Sequence, residues 1–273
     1  MAHTSFEVGR FFLMPHCRLG GFWIVAEDEH AVMRRVLDVC SRNNAYLIYL
    51  NFWLDQKKGE KIFTLFYDLT SCSITLDKLA EEVKALKSIK KVLVVEQQAE
   101  GFIADTVISQ LTMGGVRGFF MRSHLWVVLV NKIREKFGSA GESFLYYIGL
   151  EMGIKGAMEH LKMAKTLKLE DPEQIIKTLG ASIFSSVGLG RMQIDMFTLD
   201  PPYALISVYD NFECEVAPAS SKPYSQFIRG IISGYLTKVL NTEVTVEEIE
   251  CFAKGDSCCR FECKAKNKSK HPT

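Results

Sequence analysis

Half of the chain's eight cysteines fall in one stretch near its end, EIECFAKGDSCCRFEC, residues 248–263. Two runs of strand character, Val244 to Ala253 and Cys258 to Lys264, flank Lys254, Gly255 and Asp256, which read as a hairpin turn. A hairpin brings side chains from both strands together, so this segment limits the fold and the chemistry at once. With the turn centred on Gly255, Cys251 lies directly opposite Cys259. With a two-residue turn, Gly255-Asp256, Cys251 opposes Arg260 and Cys258 shares its face.

Clustered thiols mean different things in different compartments. The start, MAHTSFEVGRFFLMPHC, places an Arg inside a short apolar patch and has no small-residue cleavage site, so no signal peptide is expected. No stretch reaches the ~18 continuous apolar residues of a membrane span. A cytoplasmic location follows as the expectation, and there thiols stay reduced. With 48% apolar and 24% charged residues the composition is that of a soluble globular protein with a real core. A net charge of +1 provides no global field for direct nucleic-acid binding. The basic tail, with Lys264, Lys266, Lys268 and Lys270, reads as a solvated disordered end rather than a binding arm.

At 273 residues the chain holds one large domain or two ordinary ones. Residues 21–97 read as strand, helix, strand, strand, helix, strand. Gly21 to Glu27 is a short apolar run. Val32, Met33, Val36, Leu37 and Cys40 recur at helical spacing. Tyr46 to Leu54 reads as a buried strand, the QKKGE segment as a hairpin connection, and Lys61 to Leu69 as a strand with Phe63, Leu65, Tyr67 and Leu69 on one face. Thr75 is the N-cap of a helix whose face carries Leu76, Leu79, Val83, Leu86 and Ile89, and Lys91 to Val95 closes the unit. This βαββαβ order is the ferredoxin-like split unit. In length and pattern it resembles an ACT domain, a small regulatory module that often binds amino acids. The AEDEHAV turn lacks the Gly of the Asp-x-x-Gly turn common in such domains, which leaves a dimerisation or spacer role as the alternative.

Residues 98–113 read as a connector with some helix, and Val116 to Arg122 as a strand. His124 to Phe137 is a helix ending at Gly138. A longer helix from Ala140 to about Lys165 has Phe144, Leu145, Tyr147, Ile148, Met152 and Ile154 on its apolar side. Gly149, Gly153 and Gly156 interrupt it and point to a close packing partner or a bound ligand. Pro172 starts a third helix with Ile175, Ile176, Leu179, Ile183, Phe184 and Val187 on its apolar face. Two strands, Arg191 to Leu199 and Tyr203 to Asn211, flank Asp-Pro-Pro, and a fourth helix runs from about Pro223 to Leu240.

The segment from Gly230 to Cys263 combines a Gly-x-x-x-Gly helix, a short linker, Glu-x-x-Cys, a Lys-Gly-Asp turn and Cys-x-Phe. It resembles the closing segment of vinyl-4-reductase (4VR) domains, and the elements from about residue 115 fit the same domain. Such domains serve in aromatic-responsive bacterial regulators, in archaeal regulators and in a protein linked to bacteriochlorophyll synthesis. Their fold is shared with TRAPP tether subunits. The expected fold class is therefore α+β: a ferredoxin-like, ACT-like domain followed by an α/β vinyl-4-reductase-type, TRAPP-subunit-like ligand-binding domain. The expected boundaries are an N-terminal segment 1–20, the ACT-like domain 21–97, a connector 98–114, the vinyl-4-reductase-like domain 115–266 and a tail 267–273.

In the aromatic sensors a zinc ion is held by a helix Cys, the Glu and Cys of Glu-x-x-Cys, and a Cys after the turn. The resemblance carries the last three onto Glu248, Cys251 and Cys259, and puts the helix position on Ser225, a poor zinc ligand. Cys214 and Cys263 are further cysteines that could replace it. Glu248 and Cys251 are three apart, so a shared metal needs a bulge or bend between them. A metal site, a redox-responsive thiol pair and small core residues without chemistry are the three readings of these cysteines.

A binding module of this type holds an apolar pocket with a few polar groups. Candidate lining residues are Phe119, Phe120, Trp126, Tyr146, Tyr147 and Met152, with membership of the core as the plainer alternative. His124 and His160 are candidate polar contacts, with surface or capping roles as theirs. No Gly-x-Ser-x-Gly elbow, P-loop or His-Glu-x-x-His occurs, and Gly188-Leu-Gly190 follows a helix, unlike a dinucleotide loop. The expectation is a regulatory sensor of small apolar or aromatic (hydrocarbon-like) ligands, acting as a homodimer or through a regulatory protein partner. A tetrapyrrole-linked reductase or accessory protein and a structural tether are the alternatives.

Overall fold

Alternation of apolar side chains builds the first sheet. In the computed structural model, which describes residues 7–27, 31–55 and 58–266, the chain divides into two compact units, with the boundary between Phe119 and Phe120. The first contains β1 (Phe11–Leu13), β2 (Leu19–Glu27), α1 (Val32–Arg42), β3 (Tyr46–Asp55), β4 (Glu60–Asp68), α2 (Leu76–Lys84), β5 (Ile89–Glu96), β6 (Phe102–Ala104), β7 (Leu111–Met113) and β8 (Val116–Gly118). Its four-stranded sheet has the order β3-β4-β2-β5, all neighbours antiparallel, which is the ferredoxin-like arrangement. Phe22, Ile24, Phe63, Leu65 and Tyr67 meet Val32, Val36, Leu79 and Val83 of the two helices in one core. The Thr75 hydroxyl accepts from the Lys78 amide and caps α2.

Two local expectations fail here. β3 is an edge strand rather than a buried one, and Tyr46, Phe52, Trp53 and Leu54 are exposed. Residues 98–113 hold strands in place of helix. β6 pairs with β1, and Ile103 is buried with Leu19, Phe66 and Val95. Strand β8 stops at Gly118, four residues short of the expected end. Residues 1–6, 28–30, 56–57 and 267–273 lie outside the described residues. With them go the first part of the N-terminal segment, part of the AEDEHAV turn, part of the QKKGE connection and the expected disordered tail.

The second unit contains α3 (Ser123–Phe137), α4 (Ser139–Leu167), α5 (Pro172–Ile175), a π-helical stretch over Ile176–Ala181, α6 (Ser182–Ser186), β9 (Arg191–Leu199), β10 (Pro202–Tyr209), α7 (Phe212–Glu215), α8 (Gln226–Leu240), β11 (Val244–Glu250) and β12 (Cys259–Ala265). The sheet runs β11-β12-β10-β9, antiparallel throughout. Phe227, Ile228, Ile232 and Leu236 of α8 share a core with Ile206, Val208, Val246 and Phe261 of the strands.

Helix α4 buries a different side from the one its large apolar residues suggest. Phe144, Tyr147, Ile148 and Met152 are exposed, while Gly141, Leu145, Gly149, Gly153, Ala157, His160 and Ala164 form the buried stripe. Small residues are needed there because α4 and α8 touch backbone to backbone. A Cβ on Gly149 or Gly153 would sit 2.1 Å from the carbonyl oxygens of Phe227 or Ile231. On the facing helix, a Cβ on Gly230 or Gly234 would meet those of Tyr146 or Leu150 at 2.1 and 2.0 Å. Gly156, one turn on, has nothing within 4 Å of its Cβ position. The third helix also departs from a regular period, since its middle turn is π-helical. Among the described residues no helix is long and apolar enough to cross a membrane.

Candidate functional site: a buried thiol cluster and an apolar cavity

The closing hairpin adopts the register centred on Gly255. Glu250 faces Arg260 while Glu248 faces Phe261, so Ile249 is the extra residue of a bulge. Both Glu248 and Cys251 thereby point inward, while Ile249 is exposed. Gly255 takes φ +102°, where a side chain is strained, and the Asp256 carboxylate accepts the Cys251 amide at 2.8 Å. Thus Lys-Gly-Asp both turns the chain and ties down the backbone of Cys251.

The bulge delivers Glu248, Cys251 and Cys259 to one buried point, where Cys214 of α7 joins them. The four candidate ligand atoms lie within 4.8 Å of one another, and the Cys214 and Cys251 sulfurs are 3.5 Å apart. Tetrahedral zinc with Zn–S near 2.3 Å sets its sulfurs ~3.8 Å apart, so the cluster is close to the size such an ion needs. All eight cysteines are free thiols. Cys258 is buried but outside the group, and Cys263 is buried with its thiol towards the Phe261 carbonyl.

Ser225 stands inside this cluster without being one of its four candidate ligands. Its amide and hydroxyl donate to the two Glu248 oxygens at 2.9 and 2.7 Å, and Asn211 donates to its hydroxyl at 2.8 Å. Serine thus orients the carboxylate, and Cys214, 3.0 Å from the Ser225 oxygen, occupies the remaining corner. Backbone amides of Tyr224 and Phe252 point at the Cys251 and Cys259 sulfurs, both at 3.4 Å. Amides in these places favour thiolate and fix sulfur orientation, as outer-shell groups do around metals. Hydrogen bonds from Cys214 and Cys259 lower the Cys251 pKa, while its hydrogen bond to Cys251 raises that of Cys214. For Cys259 the Cys214 hydrogen bond favours the thiolate, but Cys251 and burial outweigh it and push the thiol up to about 12. Burial pushes Glu248 up to about 8 despite its bonds from Ser225. So many acidic groups cannot all ionise in a buried site unless a cation joins them.

Next to Cys214, Glu213 is fully buried. Its carboxylate accepts the Phe227 and Ile228 amides that open α8, at 3.2 and 2.9 Å, and pairs with Arg134 of α3 at 2.6 Å. Burial raises its pKa, and Arg134 followed by the two amides opposes that. Arg134→Met should cost ~3–5 kcal/mol by leaving this carboxylate buried and unpaired. Because a raised folded-state pKa favours proton uptake on folding, the loss should shrink as pH falls and Glu213 is protonated. Urea unfolding of the variant at several pH values measures both effects; a loss under 1 kcal/mol at neutral pH would refute the assignment.

A second feature lies further along α8. A cavity of about 170 Å³ opens between α4, α8, the π-helical stretch, α6 and the strands, with Ile176, Phe184, Ile206 and Ile232 among its walls. The side-chain nitrogen and oxygen atoms lining it belong to His160 and Tyr235, whose Nδ1 and hydroxyl are 3.0 Å apart. Gly156 and Gly180 leave wall space that side chains would fill.

Of the six aromatic and Met candidates, Met152 lines this cavity. Phe119, Phe120 and Tyr147 are exposed. Trp126 packs on Phe212 and Phe227, and Tyr146 donates to Ser233 and lies under Arg229. His124 is exposed, whereas His160 is buried at the cavity wall. Cys214 carries no spacing signal linking it to the hairpin. The nearest hint is Asn211, which caps the short helix that presents it.

Residues 205–265 match the vinyl-4-reductase domain family, so the chain carries such a domain, preceded by a ferredoxin-like, ACT-like unit. Protein MJ1460 of Methanocaldococcus jannaschii is 28% identical over 141 residues, covering 50% of this chain and 74% of that protein. The phenol-responsive sensory domain of the transcription activator PoxR, solved with phenol, is similar over 57% of this chain and 80% of its own, with 16% identity and a TM-score of 0.51. The ACT domain of GTP pyrophosphokinase from Chlorobium tepidum matches 29% of this chain and 99% of its own, with 17% identity and a TM-score of 0.25. At these identities the likeness to the two solved structures is one of fold.

Proposed function

We propose that the second unit is a regulatory sensory module that binds a small, mainly apolar molecule in the cavity beside α8. A zinc ion held by Cys214, Glu248, Cys251 and Cys259 would secure the start of that helix. The observation that carries the reading is the cavity itself: apolar walls, a single polar pair and no charged side chain. A dry cavity of ~150 Å³ lined by aliphatic and aromatic groups takes up a benzene-sized molecule, so the volume here suits one ring. The π-helical wall agrees, since such turns recur at functional sites. The vinyl-4-reductase match and the fold shared with a phenol-responsive sensory domain support the same reading.

The donor set fits zinc. Three sulfurs and one carboxylate are borderline-soft, buried, and spaced for a tetrahedron. The ion would neutralise thiolates that the buried site otherwise disfavours. The chain's own residues do the remaining work: Ser225 orients Glu248, and the Tyr224 and Phe252 amides orient two sulfurs.

Single-ring compounds at ~100 times their Kd should add ~2.7 kcal/mol of stability, a rise of several degrees in Tm. Gly156→Leu would direct a side chain into the open space beside α4 and should abolish that rise while leaving the unliganded protein at least as stable. Thermal unfolding with and without ligand measures this. Failure of every single-ring compound to raise the Tm would sink the reading.

A further inference from the structure

The cavity holds one polar device that the binding reading leaves unused. His160 comes from the buried stripe of α4 and Tyr235 from α8, so the pair bridges the two closely packed helices. Their rings meet edge-on at 5.4 Å. Tyr235 has a prepared place: a Cβ on Gly180 would come within 2.9 Å of its ring and hydroxyl. The other side chains of the cavity wall carry no nitrogen or oxygen, and none is ionisable as Asp, Glu, Lys or Arg.

We propose that His160 and Tyr235 select a single-ring ligand bearing one neutral oxygen, a hydroxyl or a carbonyl, and reject charged analogues of the same size. The proposal rests on the reading of the cavity as a ligand site. The proton count supports it. A neutral pair has one ring N–H and one phenolic O–H. One of these is spent between the partners in either tautomer, and the other remains free to donate. A ligand oxygen that accepts this proton satisfies the pair, whereas a plain hydrocarbon leaves it unmet. Burial lowers the His160 pKa and raises that of Tyr235, which keeps both neutral. A carboxylate or ammonium group would enter a site without a counter-charge, at a desolvation cost that one hydrogen bond does not offset.

Calorimetric binding of toluene, benzyl alcohol and benzoate to the full chain, as wild type and as Tyr235→Phe, tests this. Wild type should bind benzyl alcohol no more weakly than toluene, despite its larger dehydration cost, and at least about tenfold more tightly than benzoate. Tyr235→Phe keeps the ring against Gly180. It should weaken benzyl alcohol about tenfold and change toluene by less than about twofold. Benzoate binding as tightly as benzyl alcohol, or equal effects of the variant on toluene and benzyl alcohol, would overturn the proposal and leave the cavity reading intact. Should none of the three bind wild type, the cavity reading falls and this proposal falls with it. The wild-type ranking decides alone if Tyr235→Phe does not fold.

Discussion

Gly234→Ala is expected to unfold or severely destabilise the second unit, although alanine is the better helix former. The added Cβ would stand 2.0 Å from the Leu150 carbonyl oxygen and 2.8 Å from its carbon. These are backbone atoms of another helix, so no side-chain rotation relieves the clash. The helices must separate, and the contacts of the Gly149, Gly153, Gly230 and Gly234 interface are lost together. Overpacking in cores usually costs ~1–3 kcal/mol, and a backbone clash of this depth belongs at or above ~3 kcal/mol. The helix-propensity gain of ~1 kcal/mol does not offset that. Gly156→Ala is the internal control. It lies on α4 three residues from Gly153, meets nothing within 4 Å, and should stabilise by about 0.5–1 kcal/mol. Denaturant midpoints for the two variants should move in opposite directions. A Gly234→Ala protein as stable as wild type would show that the helices do not approach this closely.

Loss of the metal is the other large expected effect. The purified chain should carry about one zinc, and Cys251→Ala or a strong chelator should remove it. A ligand that binds only the folded state at a thousandfold above its Kd contributes ~4 kcal/mol, which for a unit of this size is ~10 °C in Tm. The effect should reach beyond the hairpin. Cys214 adjoins Glu213, which caps α8 and holds α3 through Arg134, and Glu248 is bound to Ser225 just before α8 begins. Cys258→Ala and Cys263→Ala remove buried thiols outside the four-ligand group and should keep the zinc, which separates metal loss from loss of a core side chain. Elemental analysis with thermal unfolding measures both. Less than half an equivalent of any metal in the wild-type chain would refute the site.

Much of the architecture is legible in local patterns. The βαββαβ unit follows from period-two and period-3.6 runs with a Thr75 cap, and all of these recur in the structure. The closing hairpin and its Gly255 turn are legible for the same reason: backbone conformation at a turn depends on a few adjacent residues. Where burial depends on a distant partner, local pattern misleads. Tyr46 to Leu54 is apolar enough for a central strand, yet β3 has a neighbour on one side only. On α4 the large apolar residues face outward and the glycines inward, because the partner there is the backbone of another helix.

The sequence by itself determined the order of elements, the hairpin and the cysteines it carries, and the need for a bend between Glu248 and Cys251, since each is written within a dozen adjacent residues. The tertiary structure alone decided that the bulge falls at Ile249, that Cys259 and not Cys258 turns inward, that Cys214 supplies the remaining corner beside Ser225, and that His160 meets Tyr235 at the cavity wall. These pairs lie from 11 to 75 residues apart along the chain. Packing of helices and sheet brings them together, and no local periodicity encodes that separation.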